Sequence, residues 1–315
     1  MTHKILVADG LSGDGIALLR TAGEVTVNPK ITADELLAAL PAYHALVVRS
    51  RTKVTAQVVE AGTNLKVIGR AGVGVDNIDV AAAIARGVTV VNSPLAASVA
   101  VAEHTLGLML ALARNIPIAD ALMKQGKWEK NAFVGSELFG KTLGLLGIGR
   151  IGAEVAKRAE AFGMTVLAYD PYLTAEEIRA RRAVPAAFDE VIAKSDYLSL
   201  HLPLTEETRG LIGLEQFAMM KKGARLICAA RGGVIDEDAL RVALDSGALA
   251  GAALDVFASE PPLPESIAAH PKVIATPHVG AQTTEAQASA GLMIAEEVLA
   301  VLQGQGPRWR VTTNE

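Results

Sequence analysis

The chain is constrained most by a rhythm. Short, uniformly apolar runs alternate with helix-length segments, and the alternation starts twice. In the first third the runs fall at residues 4–8, 25–27, 45–48, 66–68 and 88–91, with helical patterns at 13–22, 32–40, 55–61 and 77–86. A long helical stretch follows at 99–112. The rhythm then restarts, with strand patterns at 142–146, 165–169, 197–200, 225–227, 251–254 and 273–275. A strand with one wet face alternates apolar and polar residues. These runs do not, so both faces are buried, as in a parallel sheet covered by crossover helices. The fold class is therefore α/β, with two successive doubly wound, parallel-sheet, Rossmann-like domains. A last helical pattern, 283–302, follows the second unit, and periodicity leaves open which unit it joins.

Composition supports that reading and removes several function classes. The 315 residues are 50% hydrophobic and 20% charged, ample for two cores and unlike a disordered chain. The net charge of −4 gives no basic excess for nucleic acid, and no polybasic run points to an anionic membrane surface. Cys228 is the one cysteine, so no intrachain disulfide forms, which fits a cytoplasmic protein. The apolar run that begins at Ile5 ends at Asp9, too short for a signal peptide. The most apolar stretch, 105–113, falls well short of the roughly 20 residues a membrane helix needs.

The second unit opens with Gly147-Ile148-Gly149-Arg150-Ile151-Gly152 between a buried strand and a helix expected over 153–162. One glycine makes the tight turn, one lets the backbone approach a pyrophosphate, and one permits close helix–strand packing. The helix N-terminus then offers free N–H groups to the phosphates. Asp170 ends the next strand, near the spacing of about 20 residues at which a carboxylate binds a ribose 2′-hydroxyl. That carboxylate favours NAD over NADP. Arg179, Arg181 and Arg182 follow and read as a solvated helix face.

Three later residues follow strand ends in the same unit: Arg231, Glu260 and His278. Ligands of open α/β sheets bind at that edge. An arginine can hold a carboxylate in bidentate fashion, a histidine exchanges a proton near neutral pH, and a carboxylate can orient it. Cys228 reads as a small buried filler. No His, Cys, Asp or Glu cluster has metal-ligand spacing, so no metal is expected.

Several segments, taken in order, resemble the D-isomer-specific 2-hydroxyacid dehydrogenases over nearly the whole chain, from about Ile5 to Gly304. They are Val48-Arg49-Ser50, Gly69-Arg70-Ala71-Gly72-Val73-Gly74-Val75-Asp76-Asn77, Leu112-Ala113-Arg114-Asn115-Ile116-Pro117, Gly126-Lys127-Trp128 and Gly140-Lys141-Thr142-Leu143-Gly144. The glycine loop, Ser195-Asp196, His201-Leu202-Pro203 and the Arg231, Glu260 and His278 segments complete the set. The resemblance implies that a substrate domain, 1–97 plus 284–315, is discontinuous around an NAD-binding domain, 98–283. His278 would be the acid/base, Glu260 its partner, and Arg231 the holder of the substrate carboxylate. Arg49, Ser50, Arg70, Gly72, Val73 and Gly74 would line the substrate side. The cofactor side would be Gly147, Gly149, Arg150, Ile151, Gly152, Asp170, His201, Pro203, Thr208, Ala229, Asp255 and Gly280. Within that set, His201, Pro203 and Thr208 would lie near the adenine and Asp255 at the nicotinamide amide.

The implied reaction is NAD-dependent oxidation of a D-2-hydroxy acid, with 3-phospho-D-glycerate, at the entry to serine synthesis, the leading substrate. The alternatives are a hydroxypyruvate or glyoxylate reductase and, more remotely, an NAD-sensing corepressor-like protein. A homodimer is implied, with the long helix and the Trp128 loop in its interface. Two departures stand out: Cys228 replaces a common asparagine, and Leu95-Ala96-Ala97-Ser98 lacks another. A C-terminal serine-sensing module is not expected after Glu315.

Overall fold

The computed structural model describes residues 2–312. The chain divides into two compact units, Met1–Ser98 with Gln282–Glu315, and Val99–Ala281. Residues 1 and 313–315 of the expected substrate domain lie outside the described residues.

The first unit is built on β1 (His3–Val7), β2 (Gly23–Val27), β3 (Ala45–Val48), β4 (Val67–Arg70) and β5 (Thr89–Asn92). They form a parallel sheet in the order β2-β1-β3-β4-β5. Alternation along the strands sends Leu6, Leu46, Ile68 and Val90 into one apolar cluster and Ile5, Val7, Val47 and Val67 into another. Both faces are thus dry, which is why the runs read as uniformly apolar. The helix Thr284–Leu302 covers the second face with Ile294 and Val298. A Cβ at Gly69 would lie 2.7 Å from Val298 Cγ2, so the helix sits tight on β4. The last helix therefore joins the first unit, the point periodicity left open.

The second unit holds β6 (Thr142–Leu146), β7 (Thr165–Tyr169), β8 (Val184–Pro185), β9 (Tyr197–Leu200), β10 (Ala224–Cys228), β11 (Leu249–Leu254) and β12 (Val273–Ala275). Their order is β12-β11-β10-β9-β6-β7-β8, parallel throughout. Leu146, Leu198, Leu226 and Leu254 pack on one face; Leu143, Leu145, Tyr197 and Ile227 pack on the other. The helix Ser98–Arg114 covers the latter face with Leu106 and Met109. No single helix among the described residues is long and apolar enough to cross a membrane.

Expected and observed strands agree to within about two residues except at β8. Two residues ending in proline, at the sheet edge, carry no pattern to read. The helix Ile116–Lys124 likewise presents no core-facing stripe to read: it buries none of its residues within this unit.

Candidate active site

The glycine loop is shaped by close backbone approaches. Gly147 has φ +85°, and a Cβ there would lie 2.5 Å from the carbonyl oxygen of His201. A Cβ at Gly152 would lie 2.5 Å from the carbonyl oxygen of Gly147. The helix expected from residue 153 begins at Arg150, so Gly152 lies in its first turn and its bareness admits the loop's own carbonyl. Gly149 is the N-cap, has no side chain to cap the helix, and faces open space. The first-turn N–H groups of Arg150, Ile151 and Gly152 are therefore presented outward at the positive end of the helix, an arrangement that fits a pyrophosphate.

Asp170 stands just past β7. Its Oδ2 accepts the Ile148 N–H at 3.0 Å and its Oδ1 the Tyr172 N–H at 3.1 Å. The expectation of three solvated arginines needs correction. Arg181 Nη1 donates to the Ile148 carbonyl at 2.7 Å and is part-buried. Arg182 instead pairs with Glu160 at the surface. The error has a local cause: Arg181 sits at the end of a one-and-a-half-turn helix, Ala175–Ala180, where helical periodicity no longer fixes direction.

His201 lies beyond β9, beside Gly147. Burial pushes its pKa down to about 4, so the ring is neutral, with Nε2 3.0 Å from Ser199 Oγ. Thr208 Oγ1 donates to the Pro203 carbonyl at 2.7 Å and ties off this loop.

At the other half of the same sheet edge, His278 Nδ1 lies 2.8 Å from Glu260 Oε2. Both side chains are partly exposed, 49% and 37%. Glu260 Oε1 accepts the Phe257 N–H at 3.2 Å, so the carboxylate is fixed before it orients the ring. His278 has φ +53°, a left-handed conformation uncommon outside glycine. Asp255, 1% exposed, maintains that turn. Its carbonyl accepts the His278 N–H at 2.8 Å. Its Oδ1 accepts the Val279 N–H at 2.9 Å and Thr276 Oγ1–H at 2.6 Å, and its Oδ2 accepts the Gly280 N–H at 2.8 Å. His104 Nε2 lies 3.4 Å from Oδ1. Burial works against the charge, but the bonds from His104, Thr276, Val279 and Gly280 outweigh it and hold the carboxyl below its ordinary value. The side chain expected at the nicotinamide is thus bonded to the histidine loop and faces His104 of the helix Ser98–Arg114.

Arg231 follows β10, after Ala229, and its Nη1 donates to the Ala230 carbonyl at 2.7 Å. A Cβ at Gly232 would lie 1.8 Å from the Phe257 carbonyl oxygen, so the arginine loop and the loop leading to Glu260 interlock. Cys228 is buried beneath them, its Sγ 3.8 Å from the Arg231 carbonyl. Burial pushes its pKa up to about 11, so the thiol is inert.

In the first unit, Asp9 plays a part that the sequence reading missed. It is 4% exposed. Its Oδ2 accepts the Arg49 N–H at 2.6 Å, and its Oδ1 accepts Thr52 Oγ1–H at 2.7 Å and lies 3.0 Å from Arg51 Nη2. Asn77 Nδ2 donates to the carbonyls of Arg49 and Thr52. Ser50 is carried on this pinned loop. The Gly72-Val73-Gly74 loop is held by Asn92 Nδ2, which donates to the Val73 carbonyl at 2.7 Å, and by the Ser93 N–H on Gly72. Gly72 has φ +147°, and Arg70 Nη1 occupies the space a side chain there would need. Where strand order reverses, between β1 and β3, a cavity of about 440 Å³ opens, lined by Ser12, Arg49, Gln282, Thr283, Thr284 and Gln287 among others. Among the described residues no group of three or more His, Cys, Asp or Glu side chains could hold a metal ion.

Residues 106–280 match the model of the D-isomer specific 2-hydroxyacid dehydrogenase NAD binding domain. The D-3-phosphoglycerate dehydrogenase of Methanocaldococcus jannaschii is 52% identical over 304 residues, 96% of this chain and 58% of that protein. The D-3-phosphoglycerate dehydrogenase of Bacillus subtilis is 48% identical over 301 residues, 57% of its length. The chain thus spans less than two thirds of these curated relatives. Among solved structures, the TT0316 protein from Thermus thermophilus superposes with a TM-score of 0.89 at 36% identity, covering 98% of this chain and all of that one. A glyoxylate reductase from Paecilomyes thermophila gives 0.90 at 29% identity, covering 100% of this chain and 99% of that one.

Proposed function

The chain belongs to the D-isomer specific 2-hydroxyacid dehydrogenases, and from that membership we propose that it oxidises 3-phospho-D-glycerate to 3-phosphohydroxypyruvate with NAD, in the cytoplasm and as a homodimer. The observation that carries the reaction is the His278–Glu260 pair at 2.8 Å. It is mounted on Asp255 at the strand-end edge of the sheet that bears the glycine loop. Held by these residues, NAD would supply the hydride acceptor for C2 of the substrate. His278 takes the hydroxyl proton at the ring nitrogen that does not face Glu260. Glu260 fixes the tautomer and favours the imidazolium that results. Arg231 holds the substrate carboxylate through its planar fork. The uncapped helix start at Gly149 and the Asp170 carboxylate hold the cofactor's pyrophosphate and ribose. Arg49, Ser50, Arg70 and the Gly72–Gly74 loop serve the substrate.

For the choice of substrate, the high identity to relatives named D-3-phosphoglycerate dehydrogenase is joined by the chemistry of the first unit's cavity. Arg49, with hydroxyls from Ser12, Thr283 and Thr284 and the Gln287 amide, gives a donor-rich lining suited to a phosphate. The apolar Leu95–Ala97 stretch is then a tolerated variation. The homodimer reading rests on exposed apolar side chains along residues 116–139, including Trp128 at 79%, Val134 at 87% and Phe139 at 75%. Light scattering on the purified protein tests it.

NADH absorbance tests the reaction. NAD with 3-phospho-D-glycerate is compared with NADH offered hydroxypyruvate, glyoxylate and 3-phosphohydroxypyruvate under equal conditions. A strong preference for the phosphorylated pair supports the proposal. Preference for glyoxylate or hydroxypyruvate overturns the substrate while leaving the hydride-transfer reading intact.

A further inference from the structure

The backbone of one residue, Ile148, is gripped by two opposite charges. Its N–H goes to Asp170 Oδ2 at 3.0 Å, and its carbonyl accepts from Arg181 Nη1 at 2.7 Å. Ile148 is fully buried, so neither group can turn to solvent. The first helical hydrogen bond runs from the Ala153 N–H to the Gly149 carbonyl, which leaves the Ile148 carbonyl one residue outside the helix ladder. Arg181 supplies the donor that the helix does not.

Each grip sets a peptide plane. A trans peptide points its C=O and the following N–H in opposite directions. With the Ile148 N–H drawn to Asp170, the Gly147 carbonyl points the other way, into the space left by the bare Gly152. With the Ile148 carbonyl drawn to Arg181, the Gly149 N–H is turned away from Arg181, and Gly149 stands at the N-cap position of the helix that the glycine loop opens. We infer that Arg181 is a positioning residue for the dinucleotide loop. It aims the Gly149 N–H for the pyrophosphate, and its loss weakens coenzyme binding without touching the chemical step. Arg181 reaches the loop from the excursion between β7 and β8, so that excursion is coupled to cofactor affinity.

The inference rests on the cofactor reading of this loop, and its primary readout, NADH binding, uses no substrate. NADH fluorescence titration is run on the wild type and on Arg181→Met, which keeps the packed stem and removes the donors. Arg181→Lys returns one donor, and Arg182→Met removes a cation that pairs with Glu160 at the surface. Arg181→Met is expected to raise the NADH Kd roughly tenfold, equivalent to about 1.4 kcal/mol. The kcat at saturating NAD should stay within about twofold, because the histidine loop lies elsewhere on the sheet edge. Arg181→Lys should recover most of the affinity and Arg182→Met should bind as the wild type. An unchanged Kd in Arg181→Met, or equal weakening in Arg182→Met, overturns the inference. A fall in kcat with Kd unchanged overturns it as well. Wild-type protein that fails to bind NADH would instead overturn the cofactor reading beneath it.

Discussion

Replacing Asp255 by asparagine separates support of the histidine loop from contact with a cofactor. The change is isosteric and leaves one acceptor oxygen. That oxygen can still serve Thr276 and Val279 at the Oδ1 position. The amide NH2 then replaces Oδ2 and meets the Gly280 N–H, which the carboxylate had accepted at 2.8 Å. A charge-assisted hydrogen bond worth about 1.5–3 kcal/mol is lost, and a buried donor costing about 1–3 kcal/mol is left unpaired. Removing a buried charge offsets part of this. The net is about 3 kcal/mol, and at about 2–4 °C per kcal/mol for a unit of this size the melting temperature falls by roughly 6–12 °C. Activity falls further than stability. Val279 and Gly280 follow His278 directly, and displacing a catalytic group by about 1 Å costs on the order of 100-fold in rate. Thermal melts, kcat and NADH titration are measured on one preparation. An unchanged melting temperature with a raised NADH Kd refutes the reasoning, because the carboxylate would then act on the cofactor itself. The pH dependence has a fixed sign. The carboxyl is held below its ordinary value near 3.8, so its contribution is complete above that pH and is lost as pH falls through the folded value. The gap in melting temperature between wild type and Asp255→Asn must therefore begin to narrow as pH falls below about 3.8 and go on narrowing toward the lower folded value.

Other substitutions read the remaining parts of the site. His278→Asn is expected to lower kcat by roughly 100- to 10,000-fold, the usual worth of a general acid/base, with NADH binding nearly intact; lost cofactor affinity with normal residual turnover would refute the assignment. Asp170→Ala should narrow the preference for NAD over NADP and weaken both, since the carboxylate also holds the Ile148 N–H; an unchanged ratio of catalytic efficiencies would count against its ribose role. Cys228, with its pKa pushed up to about 11, should resist iodoacetamide in the folded protein at pH 8 and react after denaturation; rapid labelling of native protein would contradict its burial.

The doubly wound fold and the glycine loop were legible because both follow local patterns. Apolar runs such as residues 142–146 and 197–200 predict strands with matching ends. Two other features of the fold have no such pattern. β8 is too short to have a period, and Ile116–Lys124 buries nothing inside its own unit. The residues that position the site were illegible for a different reason. Arg181 reaches Ile148 across 33 positions, and Asp9 reaches Thr52 across 43. Side-chain bonds of that span leave no periodic trace. Their direction depends on how a turn leaves a strand, which hydropathy does not encode.

The two support aspartates nevertheless share a signature, and physics explains why it recurs. Asp9 and Asp255 each follow the last residue of a parallel strand by one or two positions, and each is at most 4% exposed. Each accepts backbone N–H groups from a distant loop: Arg49 and Thr52 for Asp9, Val279 and Gly280 for Asp255. At the carboxyl edge of a parallel sheet the chain must leave the ladder, and the departing loops present N–H groups that the next strand cannot take. A carboxylate has two oxygens with about four acceptor sites, twice what a hydroxyl or an amide oxygen offers, so one side chain can satisfy more such donors at once. The loops fastened in this way carry Arg49 in one unit and His278 in the other, both candidate ligand-binding residues. In sequence the device appears as a single aspartate interrupting an apolar run, in Val7-Ala8-Asp9-Gly10 and in Ala253-Leu254-Asp255-Val256. A charge placed where hydropathy predicts only core costs several kcal/mol unless it is well bonded. Such an aspartate at a strand end therefore marks a loop whose geometry is held in place.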